Sequence, residues 1–245
     1  MTTAMRGVRL GPADVTSLFT RLADEFVAQP AYLRIDGRPA ILVLNLRDFV
    51  AEYGLDGVRF LLRLLRHRIT ERLQVDPFVV GLLADGTPAN VATCQKLPCD
   101  GITGYGFLPD WAGPPVQSYA ALVERRVAEW YRVQRDLSVP FFPVVCAGWD
   151  TSRRGVYVED LRSVRGYPWR PVVTDTSPGL FGTFLDHALE FNAVTKDDRH
   201  QVVFVHAWNE WTEGVAVEPA EENGSAYLAE IAKRFVGRRA AVSLD

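Results

Sequence analysis

The sequence predicts an α/β protein built on a parallel sheet, of the (β/α)8 TIM-barrel kind. Three observations lead there. Apolar runs alternate with amphipathic runs along the chain. The apolar runs are nearly continuous, as in strands covered on both faces. Polar and aromatic residues collect where those runs stop, and in a barrel the strand ends converge on the face that carries the active site. The competing parallel fold, the open doubly wound sheet, lacks support: Gly101, Gly104 and Gly106 do not have the Gly-x-Gly-x-x-Gly spacing of its nucleotide turn, and no phosphate loop is present.

The elements follow in order. Residues 12–28 predict a helix, with Pro12 suited to a first turn and Leu18, Phe19, Leu22 and Phe26 at helical spacing. The turn Asp36-Gly37-Arg38-Pro39 introduces a buried strand over 40–46. A helix over 56–73, a strand over 77–84 and a short strand over 101–107 come next. Then follow a helix over 117–137, a strand over 141–147, a helix over 180–192, a strand over 201–208 and a helix over 224–236. Additional strands around 155–158 and 171–174 would bring the number nearer to eight. Asn45, Asp85, Tyr105, the pair Trp149 and Asp150, and the pair Asn209 and Glu210 then mark successive strands or their ends. Chain reversal accounts for Asp85-Gly86, but tryptophan is not a turn residue, so Trp149, Trp208 and Trp211 call for another reason.

A chain of 245 residues with 48% hydrophobic content can bury one full core, so a single barrel-like domain over 1–245 is expected, with a helix within 1–30 and the core over 31–236. The net charge of -3 shows no basic excess, which argues against a nucleic-acid partner. No apolar run approaches the ~20 residues of a membrane span. The start MTTAMRGVRLGPADV lacks the apolar centre of a signal peptide, and a cytoplasmic location is the expectation. The cysteines, Cys94, Cys99 and Cys146, are few and odd in number, as in a reducing compartment. Cys94 and Cys99 are too far apart and too short of partners for zinc, and Cys146 reads as packing. No metal or organic cofactor is expected.

The chemistry concentrates in His206-Ala207-Trp208-Asn209-Glu210-Trp211-Thr212-Glu213-Gly214. Two carboxylates flanking a bond are the basic requirement of glycoside cleavage: one gives a proton to the leaving oxygen and the other acts as base or nucleophile. Their surroundings must push their acidities apart. Trp208 and Trp211 offer apolar walls and flat faces on which a sugar ring can stack. In an extended strand, residues three apart point to opposite faces. Both glutamates can therefore face one pocket only if Glu210 ends the strand and the chain bends near Trp211 or Thr212, with Gly214 permitting the turn. A Glu-x-x-Glu alone says little; the flanking Trp208, Asn209, Trp211 and Gly214 set this one apart.

The stretch VVFVHAWNEWTEGVAVEPAEENGSAYLAEI resembles the last strand-loop-helix unit of glycoside hydrolase family 99-like domains, which include endo-α-mannosidases and the WbsX-type proteins of glycan biosynthesis loci. AYLRIDGRPAILVLN and FFPVVCAGWDTSRRG resemble two further blocks of the same family, in the same order, so the resemblance spans 31–236. It implies a (β/α)8 barrel and a role in carbohydrate metabolism or polysaccharide biosynthesis. It also implies cleavage or transfer of α-glycosidic, mannoside-like linkages in an oligosaccharide or glycoconjugate. By resemblance, Glu210 would deprotonate the sugar 2-hydroxyl, which attacks the anomeric carbon to give an anhydro-sugar. Glu213 would be the general acid and then base, and Asn209 would orient Glu210. Thr212 stands where the mannosidases carry a histidine. Only about thirty residues precede the Asp-Gly-Arg-Pro block, where the family has two more barrel units. The expectation is thus a barrel incomplete at its N-terminus, completed by a homo-oligomer or partner chain, or a non-catalytic glycan-binding or biosynthetic accessory protein.

Other candidates carry two readings each. Trp149, Asp150, Arg153 and Arg154 could bind sugar hydroxyls or an anionic substituent, or could be a cap and a solvated loop; Arg162, Arg165 and Arg170 add positive charge nearby. His206 shares a strand face with Trp208 and reads as pocket floor more than as a base. Asn45, Tyr105 and Asp100 are possible cleft residues, and Glu218 a possible rim residue.

Overall fold

The computed structural model describes residues 12–105, 108–155, 166–196 and 198–236. The first helix, α1 (Pro12–Arg21), runs on into a wider π turn over Leu22–Val27. A hairpin follows, β1 (Arg34–Ile35) antiparallel to β2 (Arg38–Val43). Its two central residues, Asp36 and Gly37, have φ of 51° and 71°. Positive φ at both central positions is what an Asp-Gly hairpin turn supplies.

Helix α2 (Leu46–Leu73) begins ten residues before the expected helix over 56–73, because the backbone breaks at Gly54 (φ 70°, ψ 165°) and a second helical segment precedes that break. Then come β3 (Phe78–Leu83), α3 (Pro88–Cys94), β4 (Gly101–Gly104), β5 (Val116–Ser118) and α4 (Tyr119–Asp136). The apolar run over 141–147 is divided at Pro143 into β6 (Phe141–Phe142) and β7 (Val144–Cys146). The strand expected around 171–174 is β8 (Val172–Thr174), and that around 155–158 falls almost wholly outside the described residues. Pro178 opens α5 (Pro178–Thr195) and Ser177 caps it by accepting the Leu180 N–H at 3.3 Å. The last strand is β9 (Phe204–His206) and the last helix α6 (Ala226–Phe235).

β2, β3, β4 and β6 pair in parallel in that order, and β7 pairs in parallel with β9. The two halves of the Phe141–Cys146 run thus join one neighbour each, giving a continuous parallel wall with its carboxyl ends on one side. Among the described residues this wall does not close into a ring, since no strand joins β2 to β9. The short parallel pair β5 and β8 is tied to the end of the β7 run by the Val173 N–H on the Trp149 carbonyl, at 2.8 Å.

Helices α4 and α5 cover the wall. Trp130 lies flat on Phe184 (centroids 5.1 Å apart, planes 2° apart), and Phe191 packs on both Trp130 and Phe141; all four are fully or almost fully buried. The Tyr119 hydroxyl donates to the Cys146 carbonyl at 2.7 Å and fixes α4 to the carboxyl end of β7.

The opposite end of the wall is bound by charge. Arg38 and Arg66 both reach Asp76 at 2.6 Å, and both bind Asp100, whose carboxylate also accepts the Val79 N–H at 2.8 Å. Asp100, a possible cleft residue from the sequence, therefore belongs to the amino end, where strand starts are joined. Barrels keep stability there and chemistry at the other end.

An apolar hollow of about 350 Å³ lies between α1, α2 and the end of β2, lined by Leu18, Phe19, Val43, Phe49, Tyr53 and Phe60 among others. Its lining contains no charged side chain. Leu42 in β2 and Leu44 just beyond it are exposed. No helix among the described residues is long and apolar enough to cross a membrane.

Candidate active site

β9 ends at His206, so Glu210 lies four residues beyond the strand rather than being its last residue. The bend expected near Thr212 is a 3-10 turn over Trp211–Glu213, preceded by Glu210 (φ -84°, ψ 71°) and followed by Gly214 in the left-handed region (φ 65°). Such a turn has three residues per repeat, so side chains three apart eclipse one another. The Glu213 N–H bonds the Glu210 carbonyl at 3.2 Å. The turn thereby does what a strand cannot: it sets both carboxyl groups on one side.

One guanidinium spans the pair. Arg154, in the turn Ser152–Arg154 that follows β7, donates to Glu210 and to Glu213, each at 3.0 Å. It also donates to the Thr212 hydroxyl and the Tyr167 hydroxyl, both at 2.9 Å. Thr212 in turn donates to Glu210 at 2.6 Å.

The two carboxyls differ in setting. Glu210 is over a third exposed, and the Thr212 hydroxyl, with Arg154 beside it, holds its pKa below the ordinary glutamate value. Glu213 is only 5% exposed, and burial pushes its carboxyl up, opposed by Arg154. Its Oε2 is buried without a hydrogen bond among the described residues, and His206 Nε2 lies 3.4 Å away. Thr212→Val is expected to raise the pH at which Glu210 ionises. The 13C shift of its carboxyl against pH reads this directly, and an unmoved midpoint would remove Thr212 from the account.

The floor and walls come from three strand ends. His206 sits below Glu213, with the Tyr105 ring 4.7 Å and the Trp149 ring 6.4 Å from its own. Burial lowers its basicity. Trp149 is buried, with its indole N–H unbonded among the described residues, and Trp111 meets it edge-on. Trp208 and Trp211 are 55% and 45% exposed, and the Trp211 indole N–H is held by Glu218. The loops are laced by main chain: the Asp150 N–H bonds the Glu213 carbonyl at 2.8 Å, and a Cβ on Gly148 would lie 2.9 Å from the Gly214 carbonyl oxygen.

Tyr105, Trp149, His206, Glu210 and Glu213 are thus brought together as the sequence suggested, with Trp208 and Trp211 on the same loop. Four candidates fall differently. Asp150 accepts the Ser152 N–H at 2.9 Å and caps the turn that carries Arg154. Of the two arginines, Arg154 holds the glutamates; Arg153 is exposed and has no such contact among the described residues. Asn209 is exposed, and the hydrogen bonds to the Glu210 carboxylate come from Thr212 and Arg154. Asn45 stands at the start of α2 with left-handed φ (57°), at the same end of the wall but joined to neither glutamate. Arg162 and Arg165 lie outside the described residues. Cys146, read as packing, is buried at the site with its sulfur 3.8 Å from His206 Nδ1. The double arginine after Trp149-Asp150 was a visible signal for Arg154; nothing in the sequence marked Tyr167. Among the described residues no cluster of three or more His, Cys, Asp or Glu could hold a metal ion.

Comparison with known proteins bears on this geometry. Residues 111–231 match the family model described as glycosyltransferase WbsX. The WxcX protein of Xanthomonas campestris pv. campestris, in strains ATCC 33913 and B100, is 24% identical over 242 residues. That match takes in 88% of this chain, which spans only 29% of the length of WxcX. Among solved structures, the GH99 endo-α-mannosidase from Bacteriodes thetaiotaomicron superposes with a TM-score of 0.57 at 15% identity, covering 97% of this chain and 69% of that one. The stretch from 111 to 231, which holds both glutamates, Arg154 and β9, is thus the part of the chain that is similar to the WbsX model, and the chain shares the α/β fold of the GH99 structure.

Proposed function

We propose that the protein cleaves or transfers α-glycosidic, mannoside-like linkages, with Glu210 as base and Glu213 as acid and then base. The observation that carries this reading is the pairing of two carboxyls on one side of a single turn in opposed surroundings. One is exposed and kept ionised; the other is buried and biased toward its protonated form. Glu210 takes the proton of the sugar 2-hydroxyl, whose oxygen bonds to the anomeric carbon as the glycosidic bond breaks. Glu213 gives its proton to the leaving oxygen. Water or an acceptor hydroxyl then loses a proton to Glu213 and opens the anhydro ring, and Glu210 returns its proton to the 2-oxygen. Trp208 and Trp211 supply exposed ring faces for stacking against sugar.

A second reading is a glycan-binding accessory without turnover. It is favoured by one contact, the occupation of both carboxylates by Arg154. A panel of aryl α-glycosides and a glycan array separate the two. Turnover of an α-glycoside supports the enzyme, binding without turnover supports the accessory protein, and neither result would overturn both.

A further inference from the structure

We infer that His206 positions the proton of Glu213: Cys146 holds the imidazole as its Nδ1–H tautomer, and the bare Nε2 accepts a hydrogen bond from a protonated Glu213 Oε2. The role as acid rests on the function proposed above; the hydrogen bond does not.

The tautomer follows from the sulfur. The Cys146 thiol donates to the Gly148 carbonyl at 3.0 Å, and burial keeps it protonated, with its pKa pushed up to about 12. Its one proton is used, so toward His206 Nδ1, 3.8 Å away, the sulfur can only accept. Nδ1 must then carry the ring proton, which leaves Nε2 bare and 3.4 Å from Glu213 Oε2. That oxygen is buried and otherwise unbonded among the described residues, a costly condition for half of a carboxylate. A proton on it, shared with Nε2, satisfies both atoms.

The alternative is an ion pair of imidazolium and carboxylate. The His206 side chain is 12% exposed and that of Glu213 7%, so both charges would be taken out of water. The groups around the pair do not require them. Arg154, on the turn after β7, already faces the ionised Glu210 and keeps Oε1 of Glu213 as a hydrogen-bond acceptor. Tyr167 faces the guanidinium. Tyr105, beyond β4, and Trp149, beyond β7, press uncharged rings on the imidazole. Burial raises the Tyr105 hydroxyl and keeps it neutral.

The test is 15N NMR of the intact chain with labelled histidine, near neutral pH and without substrate. The expected spectrum has His206 Nε2 in the unprotonated range and Nδ1 in the protonated range. Glu213→Gln should leave both signals in place, because Arg154 holds the amide oxygen and the amide N–H2 takes over the donation to Nε2. Cys146→Ala should give a mixture of tautomers. An imidazolium that becomes neutral in Glu213→Gln, or an Nε2–H tautomer in the unmodified chain, overturns the inference. A chain with the expected tautomer that turns over no glycoside loses the proposed function and keeps this hydrogen bond. A chain that turns over glycosides with His206 charged loses the inference alone.

Discussion

Glu213→Gln is expected to lower turnover of an unactivated α-glycoside by about 10²- to 10⁴-fold, the usual contribution of a positioned acid–base group. The amide keeps the volume and the contact to Arg154 but has no proton to give. The loss should shrink on aryl glycosides, whose leaving oxygens depart with little help. Glu210→Gln should cost a similar factor on both substrate classes, because the attacking 2-hydroxyl needs its base whichever group leaves. The contrast separates the roles: equal losses on both substrates for Glu213→Gln would unseat it as the acid. The pH profile should be a bell. Glu210 must be ionised, and its pKa is held below the ordinary glutamate value, so activity is lost only as pH falls through that depressed midpoint. Glu213 must be protonated, and its midpoint is raised, so activity is lost as pH rises through it. A profile that rises through both midpoints would rule out this assignment.

Asp100→Ala should destabilise the fold and leave the site alone. Its carboxylate receives Arg38, Arg66 and the Val79 N–H, and without it the two arginines are left to share the carboxylate of Asp76. Removing one member of a partly buried ionic group leaves uncompensated charge, at a cost of about 3 kcal/mol, the low end of the range because the side chain is still 22% exposed. For a chain of this size that is a fall of roughly 5–10 °C in Tm. Differential scanning calorimetry reads the fall, and sugar binding below the transition should match the unmodified chain. Asp100→Asn should fall less, since the amide oxygen can still accept one arginine. Lost binding in a folded Asp100→Ala protein would contradict the division of the two ends.

Much of the fold was legible because buried parallel strands and amphipathic helices write periodicity into the chain. The runs around 78–83, 119–136 and 178–195 show it plainly. Boundaries were less so. The segment 46–53 does not stand out as helix in the sequence, because it is short, breaks at Gly54 and begins at Asn45, whose side chain makes no cap hydrogen bond. β5 has three residues and draws its order from pairing with β8, more than fifty positions away. At the site, the glutamates and their tryptophans were visible as a local cluster. The 3-10 turn was only half anticipated: a bend was required by the geometry of strands, but its place depends on hydrogen bonds to the loop after β7. Arg154 and Cys146 were invisible as partners because proximity in space, not spacing in sequence, joins them to the pair. Asp100 was misplaced for the converse reason. An acidic residue next to a strand looks the same at either end.

The contact of Gly148 with Gly214 has a consequence for how this region tolerates change. A loop whose register is set by side chains can drift through compensating substitutions. Here the two loops meet through main chain, with the Asp150 N–H on the Glu213 carbonyl and no room for a Cβ at Gly148. An inserted or deleted residue in either loop would move one carboxyl relative to the arginine that spans them, and no exchange of side chains could restore the match. The loops after β7 and β9 are therefore expected to lengthen or shorten only together.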